Sequence, residues 1–187
     1  MKVVELDRVE LASRRDDVLD VYAEAMQVRP ESARTRRSIL ASHLDRDGLR
    51  AVAAHDDAGL MVGVAYGYLG SAGQWWHDRV ASALAPEVVQ RWLVGAFEVC
   101  ELHVRPAHQG AGLGREMLLA LLGGTCAPTA VLTTPDTETR ARAFYRRGGW
   151  VDLARELRFP GDPRPFAVLA LDLPTGPLDL PTSGSPE

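Results

Sequence analysis

Apolar residues change their spacing several times along this 187-residue chain, and each change marks an element. "VVELDRV" alternates apolar and polar positions, as a half-buried strand does. "SRRDDVLDVYAEAMQV" opens polar and then sets Val18, Val21, Tyr22 and Ala25 on one helical face, with Arg29-Pro30 as its stop. A second helical stretch, "SARTRRSILASHL", leads to Gly48. "LRAVAAHDDAGLMVGVAYGYL" reads as two strands joined by a turn at Asp56 to Gly59, a hairpin. Residues 70–96 break the strand pattern with turn residues and then predict a helix around Pro86 to Val94. "AFEVCELHVRP" is a strand ended by Pro106, and "GLGREMLLALLGG" a helix with Leu113, Met117, Leu118, Leu121 and Leu122 on its apolar face. "TAVLTT" is the next strand, "PDTETRARAFYRRGGW" a helix closed by Gly148 and Gly149, and "VDLARELRF" and "PFAVLALDL" are the last two strands.

The order β-α-α-β-β-(insert)-β-α-β-α-β-β predicts an α/β (α+β) class with a mixed sheet and at least one strand-helix-strand crossover. We expect one domain over 1–173 with residues 70–96 as an insert, followed by a flexible Pro/Gly/Ser-rich tail, 174–187. Ligands in such sheets favour the carboxyl ends of strands, where loops run into helices.

Composition narrows the partners. A net charge of -4 with mixed signs argues against a protein whose main business is coating nucleic acid or an anionic membrane, so small molecules are the expected partners. Cys100 and Cys126 lack the spacing and neighbouring histidines of a zinc site, which predicts buried free thiols, no disulfide and no metal. No uninterrupted apolar run is long enough for a spanning helix, and the expected location is cytoplasmic.

Chemistry enters at "HVRPAHQGAGLGRE", where a strand runs through a loop into a helix beginning near Gly112. The first-turn amides of that helix have no intrahelical acceptor, and the positive end of the dipole favours an anion. Glycines at 110, 112 and 114 remove side chains that would hold a phosphate away, so the expected visitor is a pyrophosphate. A Walker loop is disfavoured because Arg115 and Glu116 follow Gly114, and a dinucleotide fingerprint because Arg115 stands where its last glycine belongs. A purely structural glycine loop stays open on spacing alone.

Gln109-Gly110-Ala111-Gly112-Leu113-Gly114 resembles the Gln/Arg-x-x-Gly-x-Gly/Ala loop of the GCN5-related N-acetyltransferase (GNAT) superfamily, with "LHVRPAHQG" as its lead-in. "RAFYRRGGW" is similar to the family's Ala-x-x-x-Tyr-x-x-x-Gly-aromatic helix end, and the likeness covers most of residues 1–172. The resemblance implies a mostly antiparallel central sheet of about six to seven strands flanked by helices. It implies acetyl-CoA as co-substrate, its pyrophosphate held by Gln109 through Arg115, and its pantetheine lying along the backbone of Leu102, His103 and Val104. From the second motif it implies contacts from Ala141 and Phe144, and Tyr145 as the acid for the departing thiolate. Glu138 stands where the family often has an asparagine that holds the pantetheine; a carboxylate can accept there but not donate.

The base candidates are Glu101, Glu98 and His103, Glu101 being favoured since several family members use a strand glutamate nearby; strand alternation sets Glu101 and His103 on one face. Arg142, Arg146 and Arg147 form either a solvated face or a contact for the 3′-phosphate of coenzyme A. Trp75, Trp76 and Trp92 either cover core or an interface, compatible with a homodimer, or wall an acceptor pocket. The expected activity is transfer of acetyl to a primary amine, on a small molecule or a protein amino group; a non-catalytic acyl-CoA-binding or regulatory module on the same scaffold is the alternative.

Overall fold

The structure, a computed structural model, describes residues 1–34 and 36–174, so the expected tail lies outside it apart from Pro174. Strand β1 is Lys2–Leu6, shorter than the alternation suggests, because Asp7 caps a helix. Asp7 accepts the Glu10 amide at 2.8 Å while Glu10 accepts the Asp7 amide at 2.8 Å, a reciprocal box that turns Val9 into helix α1, Arg8–Ser13. Helix α2, Arg15–Met26, ends at left-handed Gln27 rather than at the Arg29-Pro30 pair. Pro30 instead opens α3, Pro30–Arg34, as proline's fixed φ permits in a first turn, and α4 follows at Arg37–Leu44.

The hairpin forms as expected: β2, Arg50–His55, pairs antiparallel with β3, Met61–Leu69, and Asp56 accepts the amides of Ala58 and Leu60 in the turn. The insert holds two helices where one was expected, α5 at Trp75–Ala81 and α6 at Pro86–Trp92. The turn residues at 70–73 masked α5, whose first turn is secured by Asp78 accepting the Gly73 amide. Then come β4, Phe97–Val104, α7, Leu113–Leu122, β5, Thr129–Pro135, α8, Arg140–Arg147, β6, Val151–Arg158, and β7, Pro165–Asp172. The strands follow the order β1-β2-β3-β4-β5-β7-β6 in a seven-stranded mixed sheet, with β4 and β5 parallel through Phe97↔Ala130 and Glu98↔Val131.

The chain divides into two compact units, Met1–Leu69 with Val99–Thr125, and Gly70–Glu98 with the described residues from Cys126 onward. In the first, Leu11, Val18, Val21 and Leu40 of the helices share a core with Leu6, Ala53, Val64 and Tyr66 of the strands. Helix α7 packs on β1, β2 and β3. It approaches so closely that a Cβ on Gly63 would stand 2.9 Å from the Met117 sulfur, which is why β3 carries a glycine there.

In the second unit, Val80, Leu93, Val131, Leu157 and Val168 form the core, and Trp76 and Trp92 pack against it. Trp76 Nε1 donates to Thr133 Oγ1 at 3.3 Å, and the Thr129 hydroxyl donates to the Trp92 carbonyl at 3.0 Å, so these two tryptophans seat the insert on β5. Trp75 differs, being 60% exposed. The cysteines are free; Cys100 is half-buried, but Cys126, in the loop after α7, is exposed, contrary to expectation, since its apolar sequence neighbours do not enclose it.

Candidate active site

Helix α7 receives its first turn from a loop whose parts are each accounted for locally. Arg105 fixes the end of β4: its amide donates to the Val62 carbonyl and its Nε to the Met61 carbonyl, each at 2.8 Å, while a guanidinium nitrogen meets Glu24 of α2. Pro106–His108 then form a single 3-10 turn. The Gln109 side chain reaches back to donate to the Val104 carbonyl at 2.9 Å, tying the loop to the strand it leaves.

Gly110 and Gly112 hold φ of 88° and 84°, and Gly112 is the N-cap of α7. A Cβ on Gly112 would meet no protein atom within 4 Å, so what bars a side chain there is backbone conformation and whatever approaches from the open side. Gly110, Ala111 and Gly112 are exposed, and among the described residues no acceptor pairs with the amides of Gly112, Leu113 or Gly114. Unpaired amides at the end of a ten-residue helix, with Arg115 in its first turn, form a donor set that suits a phosphate. Gly114 has Val104 Cγ2 at 4.0 Å from its would-be Cβ, and Leu113 anchors the turn by burial.

Further back on β4, alternation holds: Glu101 and His103 share a face, with His103 Nε2 at 2.5 Å from Glu101 Oε2. The other carboxylate oxygen of Glu101 accepts from Arg36, the residue that caps α4. Burial would raise the Glu101 pKa, but the bond and charge of His103 and the charge and bond of Arg36 outweigh it and hold the carboxyl below the usual range. Arg36 lies over the Tyr22 ring, guanidinium carbon to centroid 4.6 Å, and His103 meets the same ring edge-on with centroids 5.1 Å apart. Tyr66 stands on the same small cavity, its hydroxyl 3.3 Å from His43 Nδ1. Burial pushes the Tyr66 phenol well above its ordinary value and the His43 imidazole down.

The second unit holds the remaining candidates. Glu98 is 5% exposed at the start of β4. Tyr145 is 8% exposed on α8, with the Phe144 and Trp150 rings edge-on at 5.1 and 5.4 Å. Ala141 is exposed and Phe144 half-buried on that helix; Glu138 is exposed and accepts from Arg146 at 3.1 Å. Arg142 corrects the reading of a solvated arginine face, for it is fully buried. Its amide donates to the capping Thr139, and its guanidinium donates to both oxygens of Asp152 at 2.9 and 2.8 Å and lies 3.5 Å from Asp136. Asp136 also accepts the amide of Glu156, whose φ of 58° marks a bulge in β6. Arg146 and Arg147 do remain exposed.

Arg36 and the anchoring role of Arg142 are the residues that sequence reasoning missed. Tyr22 had a usable signal, four residues after Val18 on the inner face of α2. Arg36 had none, because Arg34, Arg36 and Arg37 read alike in a polar helical stretch. Among the described residues no group of three or more His, Cys, Asp or Glu side chains could hold a metal ion, and no helix is long and apolar enough to cross a membrane.

Residues 15–150 match the model of the acetyltransferase (GNAT) family. A GCN5-like protein acetyltransferase of Mycobacterium tuberculosis is 34% identical over 201 residues, spanning 92% of this chain and 98% of that protein. A GNAT-family protein of Desulfovibrio desulfuricans has a similar solved structure, with a TM-score of 0.66 at 20% identity over 91% of this chain and 99% of its own. A Salmonella typhimurium protein solved with its cofactor acetyl-CoA aligns with a TM-score of 0.59 at 16% identity over 100% of this chain and 98% of its own. At these identities the two structures speak to the fold.

Proposed function

Because the chain belongs to the GNAT acetyltransferase family, we propose that it transfers the acetyl group of acetyl-CoA to a primary amine by direct attack in a ternary complex. The observation that carries this reading is the corner between β4 and α7, where Gly110 and Gly112 sit at positive φ and the first-turn amides have no acceptor among the described residues. Amides from Gly110 to Gly114, with Arg115, hold the pyrophosphate, and Gln109 keeps the loop in place through Val104. Bound acetyl-CoA supplies an activated acetyl carbonyl. Backbone of Leu102, His103 and Val104 lines the donor, one amide polarising the carbonyl oxygen as oxyanion-hole donors do. On α8, Ala141 and Phe144 contact the donor; Glu138, engaged by Arg146, is assigned no such contact.

Attack requires a neutral amine and a proton for the departing sulfur. Tyr145 is the proposed acid, since a phenol stays protonated at neutral pH and can still give its proton to a thiolate. As the base we take the hydrogen-bonded Glu101–His103 pair in preference to Glu98, which is 5% exposed. The acceptor is a small-molecule amine or a protein amino group; the mycobacterial relative, a protein acetyltransferase, places peptide amines in the panel.

The test is release of free thiol from acetyl-CoA across polyamines, aminoglycosides, amino acids and peptide N-termini, with calorimetric titration of coenzyme A alongside. Turnover with one class and binding of coenzyme A are expected. Binding without thiol release from any amine would instead favour a regulatory acyl-CoA-binding module. Tyr145→Phe should lower kcat by about 100-fold, within the usual range for a general acid, while donor affinity holds. A fully active variant removes Tyr145 from the chemistry.

A further inference from the structure

Both oxygens of the Glu101 carboxylate are committed, one to Arg36 and the other to His103 Nε2 at 2.5 Å. A carboxylate only accepts, so Nε2 carries the hydrogen and the lone pair of the neutral ring is left at Nδ1. The ring plane is set independently by Tyr22, which meets it at an interplanar angle of 89°. Glu101 and His103 are each 13% exposed, yet the cavity of about 20 Å³ that they line with Tyr22 and Tyr66 is not sealed. Two of its walls, Arg36 and Ile39, are 36% and 41% exposed, and its volume suits one water molecule, enough to pass a proton.

We propose that His103, through Nδ1, is the base that takes the proton from the attacking amine, and that Glu101 and Arg36 are positioning residues that hold its tautomer and orientation. The proposal rests on the acetyl-transfer reading and divides labour within the pair named there. The acceptor nitrogen forms its bond to the acetyl carbon as the carbon–sulfur bond breaks. The N–H proton passes to Nδ1, directly or through one water, and the sulfur takes a proton from Tyr145. Glu101 faces the positive charge that the ring then acquires, and Arg36 keeps Glu101 ionised. A glutamate with two charge-assisted bonds, its pKa held below the usual range, is a poor proton acceptor for an ammonium at neutral pH.

The titratable and charged groups around the ring are Glu101 on its own strand, Tyr22 on α2, Arg36 before α4, and Tyr66 on β3 with His43 behind it on α4. Arg105, two residues along β4, is taken up by Glu24.

Nitrogen-15 NMR of the histidine rings of the whole chain, followed across pH, reads the tautomer without any turnover. The neutral His103 ring should be the Nε2–H form; an Nδ1–H ring overturns the proposal. In kinetics, His103→Gln should lower kcat by about 100-fold or more and abolish the low-pH limb with coenzyme A affinity unchanged. Glu101→Gln should keep the limb but shift it to lower pH, because the protonated ring has lost its counter-charge. A limb that vanishes in Glu101→Gln and persists in His103→Gln makes Glu101 the base and overturns the assignment. If the wild type binds coenzyme A but releases thiol with no amine, the acetyl-transfer reading itself falls and takes this proposal with it, an outcome distinct from either kinetic pattern.

Discussion

At Gly112 two demands coincide: a φ of 84° that L side chains rarely adopt, and an open side where a would-be Cβ meets no protein atom. Gly112→Val should therefore act twice. Coenzyme A affinity should fall at least roughly tenfold in calorimetric titration, and urea unfolding should show a loss of about 1–3 kcal/mol from the strained backbone. Unchanged affinity would separate the loop from the donor. That Gly112 stands at the start of a helix was legible in the sequence, because the requirement is local. Arg36 was not, because whether an arginine in a polar helix faces solvent or Glu101 depends on how α4 is laid against the strand. Arg142 was misread for the same reason: hydropathy says exposed, yet its guanidinium is buried against two carboxylates, Asp136 and Asp152.

Elements hold their ends through such side chains. The reciprocal box at α1 predicts that Asp7→Ala costs about 1 kcal/mol, visible as a lower Tm with activity intact. Arg142→Leu should be far more damaging, about 3 kcal/mol in denaturant titration, since it removes the partner of buried Asp136 and of Asp152 together. Asp136 retains Arg155, which sets an upper bound on the loss. At this scale the strands and the long helix α7 were readable from periodicity. The missed elements were the short helices, α1, α3 and α5, each of 5–7 residues, where one turn of apolar spacing is too little to stand out. Their boundaries come from caps and from Pro30, features that pattern alone does not rank.

At the scale of the whole molecule, depressed pKa values among the described residues make stability depend on pH in one direction, those of His43, Glu101 and Asp136 among them. Burial of His43 depresses its pKa, so its contribution is complete above the ordinary histidine value and fades as the pH falls through the depressed one. Glu101 is held below the glutamate range by His103 and Arg36 against burial, and Asp136 below the aspartate range by the Glu156 amide and Arg155 against desolvation. Their contributions are present above about pH 4 and disappear on further acidification. Urea midpoints should thus decline from neutral pH through the histidine range and steepen below about pH 4. Glu101→Gln should flatten the acid portion specifically, and an unaltered slope there would mean that the carboxylate is not held ionised in the folded chain.

The chain by itself already determined most of its alternation of strands and helices, the family loop from Gln109 to Gly114 and the motif around Tyr145, because periodicity and short motifs are properties of neighbours in sequence. Only tertiary structure decided which arginine reaches Glu101, that His103 is oriented by that carboxylate, and that Arg142 is core rather than surface. Arg36 meets Glu101 from 65 residues away, and Arg142 finds Asp152 only once β6 is laid beside α8, so burial and charge act there through space in ways that no local pattern records.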